Sequence, residues 1–371
     1  MKTIGLLIQR EMLKATLWSL GGFAALLTFF DLLDELKSIG QPSLTRPGQS
    51  YQLTEVAAYL ALGLPSHAYT LLPICLLIGG VFVMARLAQQ SEFTVLRMGG
   101  LGPSLALRTV LVTGTLLAVT TFVLGDYVVP LVERQQALLK ANYRGNISTG
   151  RSGAWMRERT EDGSIALNLG ALNAQGQPQD VRIFEFDLQG RLRRDISAAS
   201  ATIDDGHAWT LIHADVRHYP QEGQAPPMTR ESTSQLHWPT ALTTGMISAE
   251  LLKNNRMSTL NLYQYIRHLR ANDQNAQRFE IEFWRKLFYP LSCLVMVVMV
   301  LPFAYLHFRR GGIAGYVFLG VMAGISFYLL NNLFGFIGNL NGWIPWLAAA
   351  SPSLMYSAIS LTAFAWLVAK R

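Results

Sequence analysis

Cysteine is nearly absent: Cys75 and Cys293 are the only two in 371 residues. Both stand inside apolar runs, where a thiol behaves as a small apolar group, so neither a disulfide framework nor a metal site is implied. Charge is scarce too. Asp, Glu, Lys and Arg make up 15% of the chain against 50% hydrophobic residues, too apolar for one water-soluble globule and too polar for a chain lying wholly in lipid. The signatures of a chemical engine are missing: there is no G-x-x-x-x-G-K-[ST] loop, no His-Glu-x-x-His and no CxxC pair. Gly99, Gly100 and Gly102 have no Lys-Ser/Thr after them and read as the end of a short helix. The net charge of +7 is not gathered into a basic stripe with interleaved aromatics, so nucleic acid is not an expected partner. No catalytic residue, no metal ligand and no cofactor bound by this chain is expected.

What the chain does have is long apolar runs. Six stretches are long enough to span a bilayer, roughly 15–33, 64–85, 104–128, 286–306, 312–337 and 345–368. The first fourteen residues, broken by Gln9, Arg10, Glu11 and Lys14, read as an amphipathic turn leading into the first span rather than as a cleaved signal. Residues 54–64 are expected at the interface, with Pro65 and Pro73 as places to kink. Basic residues divide unevenly between the span ends. Lys2, Arg10, Lys14, Arg86, Arg97, Arg108, Arg309, Arg310, Lys370 and Arg371 fall on one side, and only Lys37 and Arg46 occupy the short loops of the other. That asymmetry predicts cytoplasmic N- and C-termini and an external central segment.

The central segment, from about 130 to 280, changes period. In 164–172 Ile165, Leu167 and Leu169 alternate, and in 181–188 Phe184, Phe186 and Leu188 do the same, predicting strands with those side chains on one buried face. Asp205-Gly206 reads as a hairpin turn before Trp209 and Leu211. Helical spacing returns at Leu262, Tyr265, Ile266 and Leu269, with Ser258 as the expected cap. The fold class is therefore an α-helical membrane protein of six transmembrane helices with an inserted all-β, jellyroll-like periplasmic domain. Its divisions fall at 1–130 (with a short cytoplasmic helix over 86–101), 131–257 and 258–371.

Two places draw attention. Asp31, Asp34, Glu35 and Lys37 cluster at the end of the first span, as a solvated helix end or as a polar mouth for a charged headgroup. Ser91 can cap a short helix, Glu92 suits its N-terminal end, and Gly99-Gly100 stop it. Phe93, Val95, Leu96 and Met98 make that helix too apolar for open water. It is either an interfacial loop helix or a coupling helix docked on a separate cytoplasmic protein, with Glu92 meeting a basic group there.

The segments FFDLLDELKSIG (29–40), LAQQSEFTVLRMGG (87–100), GDYVVP (125–130), ANYRG (141–145), FWRKLFYPLS (283–292), ISFYLLNNLFG (325–335) and IPWLAAASPSL (344–354) together resemble the LptF/LptG permeases of the lipopolysaccharide exporter. The resemblance covers nearly the whole chain. It implies a heterodimer with an LptF-like permease, two LptB-like ATPase subunits supplying ATP and magnesium chemistry, and LptC with the LptA bridge, all in the bacterial inner membrane. It implies coupling through Ser91, Glu92, Phe93, Leu96 and Arg97. It also implies a lipopolysaccharide path touching Phe29, Phe30, Asp31, Leu33, Lys37, Leu62, Phe327, Tyr328 and Leu330, with Lys140 and Arg144 above the membrane and Phe184 and Phe186 in the jellyroll. Asp31 departs from the family pattern, where a lysine can stand near that place. A permease for another lipid or lipoprotein, and a membrane-anchored scaffold or sensor, are the competing readings.

Overall fold

The computed structural model describes residues 2–43, 50–90, 92–99, 102–144, 153–160, 162–173, 177–204, 208–220, 228–240, 257–305 and 313–369. Among these residues six helices are long and apolar enough to cross a membrane: Thr3–Leu36, Leu53–Gln89, Pro103–Lys140, Gln277–Ala304, Ile313–Leu340 and Pro345–Trp366. The chain divides into two compact units. The first holds Met1–Leu33, Gly63–Val129 and Gln277–Arg371, and the second holds Asp34–Leu62 and Pro130–Ala276.

In the first unit, α1 (Lys2–Leu36) is one continuous helix from its first turn, not a turn followed by a span. Two of the charges that seemed to interrupt it are matched: Glu11 accepts from Lys14 at 3.2 Å and from Arg86 at 3.0 Å. α2 (Leu53–Gln89) carries Pro65 and Pro73 inside it. It crosses α1 at Gly79, where an added Cβ would lie 2.6 Å from the Thr16 amide nitrogen, so only glycine permits the approach. α3 (Glu92–Met98) is short. α4 (Pro103–Val123) starts on Pro103, whose missing N–H costs nothing in a first turn. It buries Ala106, Val110, Gly114, Leu117 and Thr121, a stripe at three- and four-residue spacing. Thr109, Thr115, Thr120 and Thr121 donate to carbonyls one turn back, so their hydroxyls are satisfied in apolar surroundings.

A π-helical turn, Leu124–Val128, follows α4, with the Val129 amide donating to the Leu124 carbonyl. Inside it Gly125 faces Tyr69, whose ring would be 2.3 Å from any added Cβ. α5 is Val129–Arg144. Later come α7 (Gln277–Phe288), α8 (Ser292–Tyr305), α9 (Ile313–Leu340) and α10 (Pro345–Ala369). Cys293, Met296, Val297, Val300 and Leu301 of α8 are fully enclosed and pack with Leu76, Leu77 and Val81 of α2. Both cysteines are buried free thiols.

Among the described residues the second unit contains six antiparallel strands, β1 (Ala154–Thr160), β2 (Gly163–Leu172), β3 (Pro178–Phe186), β4 (Leu192–Asp204), β5 (Ala208–His218) and β6 (Thr229–Pro239). They pair in sequence order, β1 to β6. The all-β class is as expected, but the connectivity is a simple meander, whereas a jellyroll interleaves two Greek keys. The expected turn at Asp205-Gly206 lies outside the described residues. Leu167, Leu169, Val181, Ile183, Ile196, Leu211 and the paired Trp209 and Trp238 form one buried cluster. α6 (Thr259–Ala271) begins at Ser258, whose side chain accepts from the Asn261 amide at 3.2 Å, and it buries Leu262, Tyr265, Ile266 and Leu269.

Candidate lipid-binding and coupling sites

Near the C-terminal end of α1, Phe29 and Phe30 expose about half of their surface and meet edge to face with centroids 6.1 Å apart. Leu33 is exposed beside them in sequence. Asp31 does not stand alone: its carboxylate is 2.7 Å from His67 Nε2 of α2. The apolar part of this helix therefore offers ring and aliphatic surface with one matched polar pair inside it. Lys37 is exposed and bonded to Asp34 at 2.9 Å.

On α9, Tyr328 is exposed and Leu330 is half-buried against the helix core. Phe327 corrects the expectation of a lipid-facing residue. It is 3% exposed and packs edge to face on Tyr356 of α10, so it belongs to the protein interior. The reason is helical phase: one residue is 100° of rotation, so Phe327 and Tyr328 look in different directions. Leu62 is half-buried in the second unit.

Lys140 of α5 holds a buried carboxylate. Its ammonium is 2.5 Å from Glu35 Oε1 and sits over the Tyr59 ring at 4.8 Å, while the Tyr51 hydroxyl bonds the other Glu35 oxygen at 3.3 Å. Glu35 is 3% exposed, so this pair is an internal tie between residues 34–62 and α5. Arg144 closes α5, and its side chain lies outside the described residues.

At the candidate coupling helix, Glu92 opens α3 and is exposed. Leu96 packs against the core of the first unit, while Val95 and Met98 are exposed. One side of the short helix is thus anchored, and two apolar side chains on it are uncovered. Ser91, and the side chains of Phe93 and Arg97, lie outside the described residues.

The model of a protein family described as the lipopolysaccharide export system permease LptF/LptG matches residues 7–366. The chain belongs to this family. Among curated LptF/LptG relatives, the lipopolysaccharide export system permease protein LptG of Escherichia coli (strain K12) is 27% identical over 359 residues, covering 96% of this chain and 94% of that protein. The LptG of Haemophilus influenzae (strain ATCC 51907 / DSM 11121 / KW20 / Rd) is 27% identical over 349 residues, covering 92% and 91%.

The β domain of this LptF/LptG chain corrects a second expectation. On β3 the core face is Val181 and Ile183, in register with Leu169 and Leu167. Phe184 lies on the opposite face, stacked on Trp155 with centroids 6.0 Å apart, and Leu188 is exposed beyond the strand. Phe186 is half-buried just past an irregularity in the pairing with β4. Glu185 accepts both an Arg194 pair, at 2.6 and 2.8 Å, and the Trp238 indole at 3.2 Å. Elsewhere on the sheet the Arg230 guanidinium bonded to Asp215 holds that carboxyl below its usual range. On α6, burial lowers the His268 imidazole, partly opposed by Glu158.

Sequence reasoning missed His67 as a partner of Asp31, and Glu35 as a partner of Lys140. The contacts join residues 36 and 105 positions apart, so no local spacing reveals them. The usable signal was composition: a histidine, a glutamate and a lysine inside or beside apolar runs each need a partner. A further pair, Lys286 and Asp126 at 3.9 Å, lies largely enclosed in the first unit.

Proposed function

We propose that this chain is the permease half of an ATP-driven exporter that lifts lipopolysaccharide out of the inner membrane and hands it to a periplasmic bridge. The observation that carries the reading is the family match over residues 7–366. The exposed Phe29, Phe30 and Leu33 suit acyl chains, and Lys37 suits a headgroup phosphate once it leaves Asp34. The termini are cytoplasmic and the β domain periplasmic, as the basic residues near the span ends require. An LptF-like permease completes the pair. LptC and an LptA bridge receive the lipid.

Energy enters from outside the chain. Moving acyl surface toward water costs roughly 25 cal/mol per Å², and the sequence has no phosphate-binding loop to supply that work. Two LptB-like subunits bind ATP and magnesium and press on α3. Glu92 pairs with a basic group of the ATPase, and Val95 and Met98 fill its groove. The test is Glu92→Lys, which puts like charges together. It is expected to lose ATPase co-purification and ATP-driven lipopolysaccharide release from liposomes while the chain still inserts. Wild-type behaviour in both assays would refute coupling through α3.

A further inference from the structure

The face of the sheet turned away from the core carries an aromatic and basic patch. Register places Trp155 opposite Asn168 and Asn168 opposite Arg182; two residues along, Arg157 faces Ala166 and Ala166 faces Phe184. Side chains alternate along a strand, so these six share one face of β1, β2 and β3. Ala166 and Asn168 are short, which lets the Trp155 and Phe184 rings meet across β2 at 16° from parallel. Trp155 remains 53% exposed, and Arg157 and Arg182 are exposed beside the rings.

Farther along the same face, charge is already satisfied. Arg217 lies 3.7 Å from Asp195 and 3.8 Å from Asp215, and Arg230 is 2.8 Å from Asp215. Arg157 and Arg182 have no carboxylate of this kind among the described residues. Two exposed guanidinium forks therefore flank a flat aromatic surface, and neither makes an ion pair among the described residues.

We propose that this patch binds a phosphorylated saccharide. The apolar C–H face of a pyranose ring lies on the Trp155–Phe184 surface, and the arginines take a phosphate through paired N–H bonds, the geometry their planar forks suit. A protein partner fits less well. A stable interface covers roughly 800 Å² per side, and the neighbouring part of this face is neutralised by its own ion pairs. The proposal rests on the exporter reading, which brings the sugar portion of lipopolysaccharide to this domain, and it separates sugar capture on this face from the apolar core on the other.

The experiment uses the full chain in lipid nanodiscs and, as probe, the delipidated phosphorylated core oligosaccharide of lipopolysaccharide, with binding read by calorimetry and saturation-transfer NMR. The wild type is expected to bind, with saturation on the sugar ring protons. The pair Arg157→Gln and Arg182→Gln, and separately enzymatic dephosphorylation of the probe, should each weaken binding about tenfold or more, the loss of one charge-assisted contact or better. Trp155→Ala should abolish ring saturation and Trp155→Phe should keep it, which separates loss of the stack from loss of fold. Equal binding by wild type and the arginine variant would overturn the proposal. So would equal competition by inorganic phosphate, or tighter binding of an acidic peptide than of the oligosaccharide. ATP-driven lipid release by the wild-type complex is measured alongside. Its absence would sink the exporter reading and leave the binding result standing on its own.

Discussion

Lys140 and Glu35 allow a quantitative test, because their surroundings are unequal. The Glu35 side chain is 4% exposed and that of Lys140 32%. Lys140→Met strands a buried carboxylate with only the Tyr51 hydroxyl for company. Removing one member of a buried pair costs about 3–5 kcal/mol. Solvent reaches a third of Lys140, so screening lowers the expected loss to roughly 2 kcal/mol, about a 30-fold change in a local opening equilibrium. Glu35→Gln is milder. It keeps a hydrogen-bonding group for Tyr51 and leaves an ammonium that can turn into water, for a cost of about 1 kcal/mol, or roughly fivefold. The double variant should resemble Glu35→Gln, because no stranded charge remains. The assay is hydrogen exchange by mass spectrometry over residues 53–62, where Tyr59 packs on Lys140 and its carbonyl accepts from Gln136 at 3.1 Å. If Lys140→Met exchanged no faster than Glu35→Gln, the buried-carboxylate argument would be wrong.

Gly125→Ala places a methyl against the Tyr69 ring, and the overpacking should cost about 1–3 kcal/mol, seen as a lower thermal midpoint of the detergent-solubilised chain; an unchanged midpoint would contradict the close contact. His268 gives a pH signature. Burial lowers its folded-state pKa below the ordinary value near 6.5, so the unfolded chain binds the proton more readily and stability is lost as pH falls from that value through the folded one. His268→Gln should flatten this part of the pH profile of β-sheet melting followed by circular dichroism, and an unaltered slope would assign the dependence to other groups.

The six spans were legible because each is an uninterrupted apolar run of bilayer length, and the Ser258 cap because its chemistry is local. The beginning of α1 was not. Gln9, Arg10 and Glu11 look like a break until Arg86 is brought beside Glu11, a contact 75 residues away in sequence. The strand over 181–188 failed for another reason. It carries apolar residues in both alternations, Val181 with Ile183 and Phe184 with Phe186, and a choice of the wrong one moves every side chain to the other face. Only pairing with Leu167 and Leu169 decides between them. Strand patterning is broken again where His213 adopts φ 53°, between buried Leu211 and buried Ala214, so the core face changes parity within β5. In the candidate lipid-binding region the exposure of Phe29 and Phe30 follows from the apolar end of the first span, whereas Phe327 could not be placed without the phase of α9 against Tyr356.

The crossing of α1 over α2 at Gly79 has a mechanical consequence. Thr16, the point of backbone contact, lies fourteen residues from Lys2 and fourteen from Phe30, so each arm of the helix is about 21 Å long at 1.5 Å per residue. A rigid rod on a central fulcrum returns motion one for one and reverses its direction. Any sideways displacement of the Lys2 end therefore reappears, undiminished and opposite in sense, at Phe30. The glycine that permits the close crossing also sets the gear ratio of the helix.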